Sequence, residues 1–130
     1  LTCNNAYMDF GGKAPTEAIV AAGASGTYPA AEVASSYEAY NSADGVEDTN
    51  DWHLPGLGVL HVIYKCKAEI QEALEYFWYS DCKLKETSSQ YWSSTVNAAT
   101  EAFAMSIHTG IWQNKGKTDK LLVRAVCEEV

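Results

Sequence analysis

Positive charge is scarce in this chain. Nine Lys and Arg stand against 17 Asp and Glu, a formal net charge of −8. Such a field repels a phosphate backbone, and no local Lys/Arg cluster offsets it, so nucleic acid is not an expected partner. Long apolar runs are missing too. Val59-Leu60 and Val62-Ile63-Tyr64 fall far short of the roughly 18–20 residues that cross a bilayer, so no membrane span is expected. Cysteine appears at four positions, Cys3, Cys66, Cys82 and Cys127, with no C-x-x-C pair and no zinc-type spacing. No metal site is expected from them. The even count suits two disulfides in an oxidising compartment, with buried thiols as the alternative. P-loop, G-x-G-x-x-G, H-E-x-x-H and G-x-S-x-G patterns are all absent, so no catalytic residue and no cofactor is expected and the chain is not read as an enzyme. Leu1 is not an initiator Met and no basic, then apolar, leader precedes the domain. A mature product or an excised piece is therefore expected.

What the chain does have is enough apolar and aromatic content, including four Trp and eight Tyr, to build one core in 130 residues. A single domain over 1–130 is expected. Residues 1–27, rich in Ala, Gly and Ser, read as an N-terminal strand/loop region, 28–90 as a helical half and 91–127 as the sheet. Pro29 opens a stretch of helix-favouring Ala and Glu with Val33, Tyr37 and Tyr40 at helical spacing, which predicts a helix over 29–42. A second helix follows Pro55, with Leu57, Leu60, Ile63 or Tyr64, Ile70, Leu74 and Phe77 at three- to four-residue steps and a break near Lys67. Short runs rich in aromatic and β-branched residues then predict strands over 91–95, 102–107, 111–114 and 121–127. Thr109-Gly110 and Lys115-Gly116-Lys117 are the turn signals between them. The expected class is α+β, two helices followed by a short-stranded antiparallel sheet.

Trp52-His53-Leu54-Pro55, Leu57-Gly58, Tyr64, Tyr91-Trp92-Ser93-Ser94-Thr95, Ala102-Phe103-Ala104-Met105, Gly110 and Val123-Arg124-Ala125-Val126 occur in an order spanning about residues 28–127. In these motifs the chain resembles the Lcl C-terminal-type domain of bacterial surface and pilus proteins, in the formylglycine-generating-enzyme-like branch of the C-type lectin fold. The resemblance implies a C-type lectin-like scaffold, an extracellular or cell-surface location and an adhesion or ligand-binding role. It also implies that Trp52, Pro55, Trp92, Gly110 and Arg124 are structural. Gly56 and Val59 depart from the small polar and acidic residues usual in the family. Some members of the wider fold are variable proteins diversified by retroelements, and residues 91–126 resemble such a variable region. Lectin-like domains bring their first and last strands together, so the resemblance also favours Cys3–Cys127 as a bridge. Cys66 and Cys127 as buried thiols are the alternative.

Other constellations carry weaker chemistry. Asp44, Glu47, Asp48, Asn50 and Asp51 supply oxygens of the kind calcium takes, but neither EF-hand spacing nor the Glu-Pro-Asn or Gln-Pro-Asp tripeptide of calcium-dependent lectins is present, so a solvated loop is expected. His53, His61 and His108 have no sequence-near nucleophile, and His61 reads as a partly buried helical side chain. Formylglycine-type chemistry needs a reactive cysteine pair near the end of a larger domain, from which lone Cys127 departs. The residues left are those of a recognition surface: Val96, Asn97, Ser106, His108, Thr109, Ile111, Trp112, Gln113 and Asn114 combine flat apolar area with adaptable hydrogen bonding. Trp112 could equally be sheet core. The expected ligand is a protein or a glycan; the alternative is a structural module packing against a neighbouring subunit of a larger surface or pilus assembly.

Overall fold

The computed structural model describes residues 6, 8–37, 39, 40, 47, 48, 52–77, 83–87 and 89–127. Helices lead and strands follow: α1 Lys13–Ala21, α2 Pro29–Ser35, β1 Ala39–Tyr40, β2 Glu47–Asp48, α3 Leu57–Lys65, α4 Lys67–Phe77, β3 Tyr91–Ala98, β4 Glu101–Met105 and β5 Trp112–Gly116. The class is α+β as expected, but the described residues hold four helices and not two.

Helix α1 stands where a strand/loop region is expected. Its apolar stripe is thin, with only Thr16 and Ile19 buried, so little periodicity announces it. It is fixed by a tertiary bond instead: Thr16 Oγ1 donates to the Gly12 carbonyl at 2.6 Å and accepts the Leu54 N–H at 3.0 Å. Helix α2 begins at Pro29, and the Glu32 carboxylate reaches back to the Gly26 and Tyr28 N–H groups, a cap supplied from the first turn. It ends seven residues short of the expected 42, because the Ser35 and Ser36 hydroxyls both turn back onto the Glu32 carbonyl. Ala39–Tyr40 instead pairs antiparallel with Glu47–Asp48. The break in the second expected helix is real and falls at Cys66, which caps α3 while its own carbonyl accepts the Ile70 N–H at 3.0 Å.

The main sheet has the order β3-β4-β5, antiparallel throughout. Strand β4 is its centre, and Ala102, Phe103, Ala104 and Met105 are buried on both faces. Alternation sends Phe103 and Met105 to one face, with Leu57, Leu60, Tyr91 and Ile107, and sends Ala102 and Ala104 to the other, with Ile19, Ala31, Ala34, Leu54 and Trp92. The neighbours Tyr91 and Trp92 therefore serve opposite cores, and each fully buried side chain of this size stabilises by about 1.5–3 kcal/mol. The small Ala pair leaves room for Trp92, which is 4 % exposed, between the sheet and helices α1 and α2.

The expected strand over 121–127 forms single bridges rather than a ladder. Leu122 bridges Tyr91 in parallel and Val126 bridges His53 antiparallel, so the returning chain closes over the β3 edge. Lys115 and Gly116 belong to β5, and the turn expected there comes two residues later, where the Asp119 N–H donates to the Gly116 carbonyl at 2.9 Å.

Candidate binding surface

The Trp-His-Leu-Pro segment is held by backbone on all sides. His53 and Val126 exchange two backbone bonds of 2.9 Å, and the Ser94 N–H donates to the Pro55 carbonyl at 2.9 Å. Strand β3 carries register shifts between Trp92 and Val96, and this irregularity turns Thr95 out of the ladder. Thr95 Oγ1 accepts the Leu57 N–H at 2.9 Å and donates to Asp9 Oδ2 at 2.8 Å, while the Asp9 carbonyl takes the Gly58 N–H at 2.8 Å. Gly56 is required here: a Cβ would meet the Gly11 and Asp9 carbonyl oxygens, so no larger residue fits at this position. Trp52 is half-buried and meets Tyr37 edge to face at 4.9 Å. These motif residues hold the fold.

The nine expected ligand-binding residues are distributed over the sheet and do not converge. Val96 and Asn97 end β3; Val96 packs into the Trp92 core, while Asn97 is exposed and donates to Glu101 Oε2 at 3.4 Å. Ser106, His108, Thr109 and Ile111 lie in the β4–β5 turn, at the opposite end of β4, about 14 Å away at 3.4 Å per residue. Ser106 is 4 % exposed and is a turn-former rather than a surface residue: its Oγ accepts the Thr109 N–H at 3.3 Å and donates to the Thr87 carbonyl at 3.4 Å. Trp112 is sheet core, edge to face with Phe103 at 5.4 Å. Gln113 and Asn114 are exposed on β5, the edge strand. The surface that remains is Asn97, His108, Thr109, Ile111, Gln113 and Asn114.

Its far end is well supported. Gly110 has a φ of +72° and its N–H donates to the Ser106 carbonyl at 2.8 Å, closing the turn against the ring of Tyr64. Lys67 Nζ lies 5.2 Å from that ring, donates to the His108 carbonyl at 3.1 Å and pairs with Glu86 at 3.5 Å. One ammonium thus ties α4, the 83–87 segment and the turn together. Gln71 adds a second tie, exchanging two 2.8 Å bonds with the Leu84 backbone.

A feature absent from the sequence reading lies on the other face. A narrow cleft of about 20 Å³ opens between α1, α2 and the sheet, lined by Ile19, Tyr28, Leu54, Trp92 and Lys117 among others. That volume holds a water or two and no larger ligand. Lys117 Nζ sits 5.3 Å from the Tyr28 ring and donates to the Ala99 carbonyl at 2.9 Å, and partial burial lowers its pKa from the usual 10.5. Tyr28-Pro29 and Lys115-Gly116-Lys117 are legible only as local punctuation; their meeting is tertiary.

His53 is buried, His61 is half-buried on α3 and His108 is exposed. Among the described residues, no three His, Cys, Asp or Glu side chains come together as a metal site, and no helix is long and apolar enough to cross a membrane. Of the acidic loop, Asp44, Asn50 and Asp51 lie outside the described residues, and Glu47 and Asp48 form β2. Cys3 and Cys82 also lie outside them, while Cys66 and Cys127 are both exposed, which removes the alternative of two buried thiols. No family model, curated protein or solved structure matches the chain.

Proposed function

We propose that the chain is an extracytoplasmic ligand-binding or adhesion module on a C-type lectin-like scaffold, with the sheet end and edge as its recognition surface. The observation that carries this reading is the contrast within the last third of the chain. Strand β4 is buried on both faces, yet the elements it supports present Asn97, His108, Thr109, Ile111, Gln113 and Asn114 to solvent. A rigid support with an exposed mixture of amide, hydroxyl, imidazole and aliphatic groups suits recognition, because little order is lost when a ligand settles on it. The lectin-like assignment draws its support from the motif order and from the returning 121–126 segment, which closes against His53 and Tyr91. The same surface residues are those the scaffold can exchange without disturbing either core, which is the property a diversified region needs.

The test is binding of the purified chain to a glycan array and to immobilised extracellular-matrix proteins, alongside a variant with Asn97, His108, Thr109 and Gln113 all changed to Ala. Expected is saturable binding by the parent that weakens at least tenfold in the variant, with unchanged thermal unfolding. Equal binding by both, or none by the parent, overturns the proposal.

A further inference from the structure

The β4–β5 ladder has a single register, and its ends are marked by the Ser106 N–H donating to the Ile111 carbonyl and the Lys117 N–H donating to the Thr100 carbonyl, both at 2.9 Å. In an antiparallel pair, bonded and non-bonded positions alternate, so Gln113 and Lys115 also face β4 while Trp112, Asn114 and Gly116 turn their backbone groups away from it. The Gly116 carbonyl is taken by Asp119. The N–H and C=O groups of Trp112 and Asn114 and the N–H of Gly116 have no partner among the described residues. The opposite edge of the sheet is closed, since β3 is bonded to Leu122 and Pro55. Among the described residues, the β5 edge of the main sheet offers a row of free ladder positions.

Charge makes that edge unlike the rest of the molecule. Residues 111–120 hold Lys115, Lys117 and Lys120 against one acidic residue, Asp119, in a chain of net charge −8, with the Lys117 ammonium turned toward the Tyr28 ring. A second copy paired through β5 would oppose two such segments and repel. An acidic strand would be attracted. Ile111, 58 % exposed, adds an apolar contact where such a strand would enter.

We infer that the β5 edge docks an extended acidic peptide segment, which adds to the sheet as a further strand. This rests on reading the chain as a binding module and names the ligand class. Main-chain bonds at Trp112, Asn114 and Gly116 supply affinity without sequence preference, and the lysines select for carboxylates.

The probes are three synthetic peptides: Ac-EVEVTVE-NH2, its lysine counterpart Ac-KVKVTVK-NH2, and the acidic peptide N-methylated at alternate residues so that it cannot complete the ladder. Expected is binding of the first at least tenfold tighter than of either other. Amide hydrogen exchange is the second readout: Trp112 and Asn114 should exchange fast in the free protein and slow down in the complex, with Gln113 and Lys115 slow in both. Asn114→Pro removes an outward donor at an edge position that tolerates proline, so it should leave thermal unfolding within a few degrees and weaken the acidic peptide at least tenfold. Lys115→Glu should reverse the preference between the first two peptides. Comparable binding of the N-methylated peptide, no slowing at Trp112 and Asn114, or slow exchange there already in the free protein overturns the inference. Array binding that survives Asn114→Pro would leave the broader binding function standing while this ligand class fails.

Discussion

Replacing Gly110 by Ala isolates how the β4–β5 turn is held. Two costs arise together. A φ of +72° lies in the left-handed region, where a Cβ costs about 1–2 kcal/mol. That Cβ would also stand 2.6–2.9 Å from three atoms of the Tyr64 ring, and forcing a packed neighbour aside costs about 1–3 kcal/mol. The ring has little freedom to yield, since Lys67 lies over it and His61 lies 6.3 Å away on the same helix. A total of about 2–5 kcal/mol is expected. With unfolding entropy of about 2.1 cal/mol/K per residue, roughly 0.27 kcal/mol per kelvin for the whole chain, the melting temperature falls by about 7–18 K. The assay is a double-mutant cycle by urea unfolding with Tyr64→Ala. Without the ring only the backbone cost remains, so Gly110→Ala should cost about 1–2 kcal/mol in that background. Equal costs in both backgrounds would refute packing against Tyr64 as the reason for glycine.

Thr95→Val should cost about 2–3 kcal/mol in chemical unfolding, because the buried Leu57 N–H and Asp9 Oδ2 lose their shared partner, while Thr95→Ser should cost under half as much. Gln71→Ala should cost about 1–2 kcal/mol and speed hydrogen exchange at Leu84, whose N–H and C=O are both bonded to that amide. Lys117 has its pKa lowered by desolvation, so between that lowered value and 10.5 the unfolded chain binds more protons than the folded one. Folding should therefore gain stability as pH rises through that window, and the gain should vanish in Lys117→Met when the two are compared by thermal unfolding.

Much of the fold is legible in the sequence where one segment both repeats and buries its pattern. The helix after Pro55 and its break belong here, as do the runs that become β3, β4 and β5. Helix α1 was hidden because its apolar positions are few and it is secured by a hydroxyl, Thr16, reaching a residue 38 positions away. The shortening of α2 has a similar origin, with two serines drawn back to the Glu32 carbonyl at the point where helical spacing alone would continue. The last run, 121–127, has strand composition but no continuous neighbour, so composition overstated its regularity.

The surface was legible residue by residue but not as a shape. Alternation leaves Trp112 open to two outcomes, core or surface, and it is β4, buried on both faces, that decides between them: Trp112 falls beside Met105 in the core, while Asn114 follows it on the same face but is exposed. Ser106 has the side chain of a contact residue and the position of a hinge pin, because a hydroxyl that accepts from Thr109 within the turn and donates to Thr87 in the neighbouring 83–87 segment is already spent. What no spacing rule could supply is the edge itself. Whether a strand has one neighbour or two depends on where residues far along the chain return, and here segment 121–126 returns to β3 and leaves β5 uncovered among the described residues. The lysines near β5 then acquire a meaning that a count over the whole acidic chain conceals: they lie on and just after a strand whose outward row of backbone donors and acceptors is open among the described residues.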